Sequence, residues 1–196
     1  MNMLLKSEFT KHLINCNSPS LQNFKEWIFH PGMLFGSMDK WWISGKRNTP
    51  HEGIDLCYFV NQQGQINNLN NTTIIPAIFD GAISAIIDDY LGKSIIIEHT
   101  LKNQVWSFCT IFGHVIPKSG ITVDSNIKQG EPIASISGME KSKSKIFPHL
   151  HISLGRVSGR ISYRELDWSI ISDPEKFSLQ DPISLINNNY KVLTKF

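Results

Sequence analysis

Pro50-His51-Glu52-Gly53-Ile54-Asp55-Leu56-Cys57-Tyr58-Phe59-Val60 can be read as a helix or as extended chain, and the fold follows from the choice. As a helix, His51-Glu52 followed by an acidic residue would resemble half of the HExxH signature, in which two metal ligands sit four residues apart and the Glu is the general base. The context speaks against it. Pro50 precedes the motif, Gly53 interrupts it, and Leu56 to Val60 is rich in aromatic and β-favouring residues. In an extended strand His51 and Asp55, an even number of residues apart, leave on the same face, while Glu52 leaves on the other. Gly53 adds no side chain between them and leaves room for an ion and its water.

The same even spacing returns nearly a hundred residues later in His149-Leu150-His151. Two imidazoles and one carboxylate make a three-ligand zinc site with an open position, the arrangement that keeps a reactive water. Cys57 shares the face of Asp55 and offers a further ligand atom, although a small buried neighbour needs no such role.

The chain suits one domain with a single core: 196 residues, 41% hydrophobic and 18% charged. A formal net charge of +2 is too mild for a nucleic-acid footprint, which needs Lys and Arg clustered along one face. Cys16, Cys57 and Cys109 are odd in number, widely spaced and without a CxxC pair. They read as buried thiols and support neither a disulfide framework nor a thiolate zinc site. Met3-Leu4-Leu5 before Lys6 and Glu8 falls far short of a signal peptide's apolar core, and no later run approaches membrane-span length. The expectation is a soluble monomer, cytoplasmic as written or exported by a route without a cleaved signal.

Residues 3–15 and 20–29 carry apolar positions at helical spacing: Leu5, Phe9, Leu13 and Ile14, then Leu21, Phe24, Trp27 and Ile28. This predicts two short helices, separated by Asn17-Ser18-Pro19 and packed on the side of the domain. Residues 1–34 then form a helical extension and residues 35–196 the main domain. His12 and His30 have no matching partner in this region and read as solvated or satisfied histidines. Residues 36–50 are loop-like yet hold Trp41 and Trp42, which suit either core capping or the aromatic wall of a groove beside His51.

Residues 61–71 read as an exposed hairpin loop, and residues 73–78, 82–87, 94–98 and 105–112 as short strands punctuated by Asp80-Gly81, Asp88-Asp89 and Gly92. Such spacing means an antiparallel sheet or sandwich, not βαβ units. On the last of these strands Trp106, Phe108, Thr110, Phe112 and His114 share a face. His99 ends the preceding strand, and periodicity does not rank it against His114. Residues 120–137 read as strand, turn and strand. Lys141, Lys143 and Lys145 then alternate with Ser in a loop before Pro148, either solvated or anion-binding.

Taken in order, these residues resemble the lysostaphin-type (LytM-like) zinc metallopeptidases, which cleave peptide bonds in bacterial cell-wall peptidoglycan. The resemblance runs from about Phe35 to Ile186. It consists of Phe35-Gly36, His51-x-Gly53-x-Asp55, Gly81, an Ile-rich strand ending at His99, Phe112-x-His114, the run over residues 123–134, Pro148-His149-Leu150-His151 and Asp181-Pro182. It implies a mainly β, antiparallel two-sheet domain with a groove whose floor carries Zn²⁺, here joined by the two short N-terminal helices. It also implies His51, Asp55 and His151 as the zinc ligands, and His114 and His149 as two non-ligand histidines facing the attacking water.

The substrate implied is a peptide, in peptidoglycan stem peptides or cross-bridges. His99 matches a position that is common in the family and not a ligand. Phe112 stands where many relatives have Tyr, which takes one hydroxyl from the groove. A LytM-like binding or activator module is the alternative, but such relatives typically lose ligands, and all five site residues are present here. A carrier or phosphotransfer domain of similar β topology would need one modified Lys or His, not a three-ligand set.

On the extended reading Glu52 faces away from the metal, so Glu52→Gln is expected to retain most of the peptide hydrolysis. Steady-state assays showing a loss of several orders of magnitude, with metal still bound, would restore the helical reading.

Overall fold

In the computed structural model, which describes residues 7–100, 107–138, 146–158 and 161–193, short strands build two sheets flanked by a few helical turns. Helix α1 (Phe9–Cys16) leads to β1 (Phe24–Phe29), followed by β2 (Ile54–Leu56), β3 (Tyr58–Asn61), β4 (Ile66–Asn68) and β5 (Ile74–Pro76). Three longer strands come next, β6 (Gly81–Asp88), β7 (Lys93–Thr100) and β8 (Ser107–Pro117), then β9 (Asn126–Ile127), β10 (Pro132–Ile136) and β11 (Leu150–Val157). Helix α2 (Trp168–Ile171), β12 (Phe177–Gln180) and β13 (Tyr190–Val192) close the series.

The smaller sheet has the order β13-β1-β3-β4. The larger runs β12-β11-β8-β7-β6-β9, with β10 joined to β8 and β5, and β2 joined to β11. Among these pairings only β1 with β13 is parallel, so the architecture is the mainly β, two-sheet one expected. Among the described residues no helix is long and apolar enough to cross a membrane.

The middle of β7 (Ile95-Ile96-Ile97) and most of β8 are apolar at successive positions because both faces of the large sheet are covered there. Ile95 and Ile97 enter a core shared with Phe9, Trp27, Phe29 and Phe112. Ile96, Cys109 and Ile111 pack on the other face with Tyr163, Leu166, Ile171 and Phe177. Each fully buried Ile or Phe contributes about 1.5–3 kcal/mol, so the sheet is held from both sides.

The first expected helix forms as Phe9–Cys16, with Leu5 outside the described residues. The second does not form. Residues 20–23 turn, and Phe24–Phe29 is an inner strand of the small sheet between β3 and β13. Its apolar residues match a helical spacing, but Phe24, Glu26, Trp27, Ile28 and Phe29 are all buried, which a one-sided surface helix does not allow. Aromatic and β-branched side chains suit a strand covered on both faces. Residues 61–71, expected as loop, include β4, because main-chain pairing with β3 at an exposed edge needs no hydrophobic period. Val105, Trp106, Lys141, Lys143 and Lys145 lie outside the described residues.

β11 positions the candidate site. Leu150, Ile152 and Leu154 enter the main core, so His151 and Ser153 face the opposite side. In register, His151 lies beside Asp55 on β2 and Gly113 on β8. Glycine is required at Gly53, where a Cβ would stand 2.1 Å from the Ile152 carbonyl oxygen, and one on Gly113 would be tight, 3.2 Å from His151 Cβ.

Regular alternation would put Phe112 and His114 on the same face of β8. The structure separates them with a bulge, seen as a register shift against β7 and a φ of +62° at His114. Phe112 stays fully buried, its ring 6.5 Å from that of Phe9, while His114 is turned to the cavity. The expected effect of Phe112 on the groove is therefore corrected: its ring belongs to the core.

One side chain ties α1 to β5. Asn17 Nδ2 donates to the Leu13 and Ile74 carbonyls, each at 2.8 Å, and its Oδ1 accepts from Ile74 N–H at 2.7 Å. Asn17→Ala removes the side-chain partner of the buried Leu13 carbonyl and of the partly buried Ile74 main chain. It is expected to lower the unfolding free energy by about 2–3 kcal/mol in urea titrations, with metal content unchanged.

Candidate metal centre

Strand β2 begins at Ile54, and residues 52–53 form a bend, so His51 reaches the site from just ahead of the strand. Its Nε2 lies 3.1 Å from His151 Nδ1 and 3.2 Å from Asp55 Oδ1, and His151 Nδ1 lies 3.0 Å from Asp55 Oδ1. These atoms form the one group of three metal-ligating side chains found among the described residues, all of them buried.

The remaining polar atoms are already engaged. His51 Nδ1 is 3.1 Å from the Leu34 carbonyl, which only accepts, so this nitrogen carries the proton and Nε2 presents a lone pair. Asp55 Oδ2 accepts from Trp41 Nε1–H at 2.7 Å, with Arg47 Nη2 3.6 Å away, which leaves Oδ1 for the cluster. His151 Nε2 pairs with the Ser153 hydroxyl at 2.8 Å.

Three acceptor atoms thus converge on one point, and only His151 Nδ1 can place a proton among them. A cation resolves that conflict. Zinc bonds of about 2.0–2.1 Å in a tetrahedron hold ligand atoms about 3.3 Å apart, close to the three separations here. The donor set fits such an ion, and the outer partners fix each side chain's orientation.

Burial opposes charge on Asp55, yet His51 and His149 beside it, with a hydrogen bond from His151, hold its carboxyl well below the usual carboxylate range. Burial pushes His151 below the ordinary histidine value, although hydrogen bonding to Asp55 acts against this. His149 is pushed down to about 4, again by burial and against the attraction of Asp55. Both rings are therefore neutral near pH 7 and keep a lone pair for a metal or a proton.

His149 Nδ1–H donates to the Phe147 carbonyl at 2.9 Å, and Nε2 lies 3.8 Å from Asp55 Oδ1. The His149 ring meets Trp41 edge-on at 5.1 Å and His114 at 4.8 Å. His51, Asp55, His114, His149 and His151 all line one cavity of about 430 Å³.

Glu52 lines the same cavity instead of facing wholly away, because the bend and not strand alternation sets its direction. Its carboxylate accepts from Ser172 Oγ at 3.4 Å and is not among the converging atoms. Cys57 is buried with Sγ 3.6 Å from the Pro148 carbonyl, outside the ligand group, and burial and Asp55 push its thiol up. The adjacent tryptophans divide the two roles weighed for them: Trp41 holds Asp55, whereas Trp42 lines the cavity beneath the Arg47 guanidinium, 4.9 Å from its ring. Sequence reasoning missed Ser153, whose even spacing from His151 was a usable signal. It also missed Arg47 and Trp168, for which spacing gives none.

The two-sheet architecture with this groove is the lysostaphin-type, LytM-like fold. The solution structure of lysostaphin matches with a TM-score of 0.51 and 20% identity, covering 90% of this chain and 56% of that one. The catalytic domain of the antimicrobial peptidase lysostaphin from Staphylococcus simulans gives a TM-score of 0.49 and 20% identity, covering 88% of this chain and 98% of that one. Csd3 from Helicobacter pylori gives 0.38 and 17%, covering 68% of this chain, which spans only 30% of Csd3. No family model matches the chain, and neither does any curated protein.

The other histidines lie apart from the cavity lining. His12 sits 3.9 Å from Glu8, and His30 Nδ1 accepts from Gly32 N–H. His99 Nδ1–H donates to the Asp80 carbonyl and Nε2 accepts from Thr110 Oγ1–H, both at 2.8 Å, so the neutral ring is satisfied. Burial lowers its pKa from 6.5 to about 4. Between these values the unfolded chain takes up a proton that the folded one does not, so stability present above pH 6.5 is lost as pH falls. Urea titrations at about pH 7 and pH 4 should show the wild type losing about 3 kcal/mol more than His99→Gln.

Proposed function

We propose that this chain is a zinc endopeptidase hydrolysing peptide bonds in peptidoglycan stem peptides or cross-bridges. The observation that carries the reading is the convergence of His51 Nε2, Asp55 Oδ1 and His151 Nδ1 on one point, in a cavity that two further histidines line. Zinc held by these three atoms would supply Lewis acidity, polarising the scissile carbonyl and lowering the pKa of water to about 7.

The chain's own residues supply the rest. His149 directs Nε2 into the cavity because Nδ1 is committed to Phe147, and burial keeps the ring neutral and ready to accept a proton. His114 approaches from β8, on a strand separate from β11. Imidazoles on two sides of the cavity suit the proton movements that amide hydrolysis requires, since a ring that takes a proton from the attacking water can return one to the leaving amine. Trp42, Tyr90 and Trp168 wall the cavity, which suits a short length of extended peptide. The shared fold with lysostaphin supports peptidoglycan as its source.

Purified protein should bind about one zinc ion per chain by elemental analysis and release peptides from sacculi, identified by mass spectrometry. Asp55→Ala should abolish both. His114→Ala and His149→Ala should keep zinc and melting temperature while turnover falls on the order of 10²-fold or more. Full zinc occupancy in Asp55→Ala would sink the ligand assignment, and a metallated wild type inert on sacculi of every chemotype would leave a binding module.

A further inference from the structure

Asp89 lies in the turn between β6 and β7, and its side chain is 3% exposed. Five donors meet its carboxylate. Oδ1 accepts from Leu91 N–H and Gly92 N–H, each at 2.8 Å, and from His114 Nδ1–H at 3.2 Å. Oδ2 accepts from the Ser94 hydroxyl at 2.7 Å and from His114 N–H at 2.8 Å.

The bonds to Leu91 and Gly92 close the turn, together with Asp89 N–H donating to the Gly92 carbonyl at 3.1 Å. The two to His114 grip that residue by main chain and ring together. His114 has a φ of +62°, a region that a non-glycine residue rarely occupies without support. A carboxylate only accepts, so the ring nitrogen facing it, Nδ1, carries the proton and Nε2 is left bare. The ring lines the cavity, 4.8 Å from His149 and 5.8 Å from His151.

We propose that Asp89 is the positioning residue for His114: one carboxylate holds both the left-handed backbone that turns the ring into the cavity and the tautomer that leaves Nε2 able to accept a proton there. This rests on the reading of His114 as a group that acts in the cavity. A proton accepted from water at Nε2 gives an imidazolium whose charge Asp89 offsets, and its transfer to the leaving amine restores the neutral ring. Asp89 keeps its charge throughout. Asparagine is no substitute, since whichever way its amide turns, its NH₂ faces at least one main-chain N–H.

The test combines ring ¹⁵N NMR, zinc stoichiometry and steady-state kinetics on wild type, Asp89→Asn, His114→Ala and the double variant. The wild-type ring should be the Nδ1–H tautomer. Asp89→Asn should lose that preference and keep its zinc, with kcat down on the order of 10²-fold and KM within about threefold. Added to His114→Ala, it should cost less than about threefold more. An Nε2–H tautomer in the wild type overturns the proposal, and so does an Asp89→Asn protein with unchanged tautomer and kcat, or a full additional loss in the double variant. Wild-type protein that hydrolyses no peptide defeats the proposed function, while the tautomer still decides the role of Asp89. If Asp89→Asn does not fold, the wild-type tautomer decides it alone.

Discussion

The site depends on the register of β11 between β2 and β8. His151 stands beside Asp55 on one side and Gly113 on the other only while Leu150, Ile152 and Leu154 point into the core. A slip of one residue would exchange the two sets, withdrawing the imidazole and stranding three apolar side chains on the wrong face. At about 1.5–3 kcal/mol for each such side chain, packing fixes which face of β11 His151 occupies. The missing Cβ atoms of Gly53 and Gly113 then allow the neighbouring chains close enough for the donor atoms to meet.

Against that packing stands an electrostatic conflict. Two ring nitrogens and a carboxylate oxygen are held 3.0–3.2 Å apart, out of water, by groups that have taken up their other hydrogen-bonding positions. Leu34, Trp41, Arg47 and Ser153 each act on one ligand from outside the cluster. Without a cation a single proton, on His151 Nδ1, has to serve all three atoms, and the surrounding fold keeps them in place. Local arrangements of this kind persist where function and not stability sets the residues.

The chemistry of this site was more legible in the sequence than its geometry. His51-x-Gly53-x-Asp55 and His149-x-His151 stand out because metal ligation restricts residue type, and even spacing narrows direction. Spacing does not distinguish His149 from His151. In the structure their outer partners do: Ser153 leaves His151 Nδ1 beside Asp55, whereas Phe147 takes His149 Nδ1. His114 was ambiguous for another reason, since a bulge turns it off the face that alternation assigns and periodicity carries no sign of the extra residue. Phe24–Phe29 misled in the opposite direction. Burial on both faces fills nearly every position with apolar side chains, and a filled pattern satisfies a helical template as readily as a strand.

His51 and His151 are a hundred positions apart, and the cluster they share needs β2, β8 and β11 all in place. During synthesis, a chain that has left the ribosome only as far as β8 already displays His51, Asp55 and His114 but lacks His151, the third member of the cluster. At ~5–20 residues per second, seconds pass between the two halves of the motif. A product that ends before β11 therefore lacks the His151 nitrogen, and with it the convergence of three donor atoms on one point.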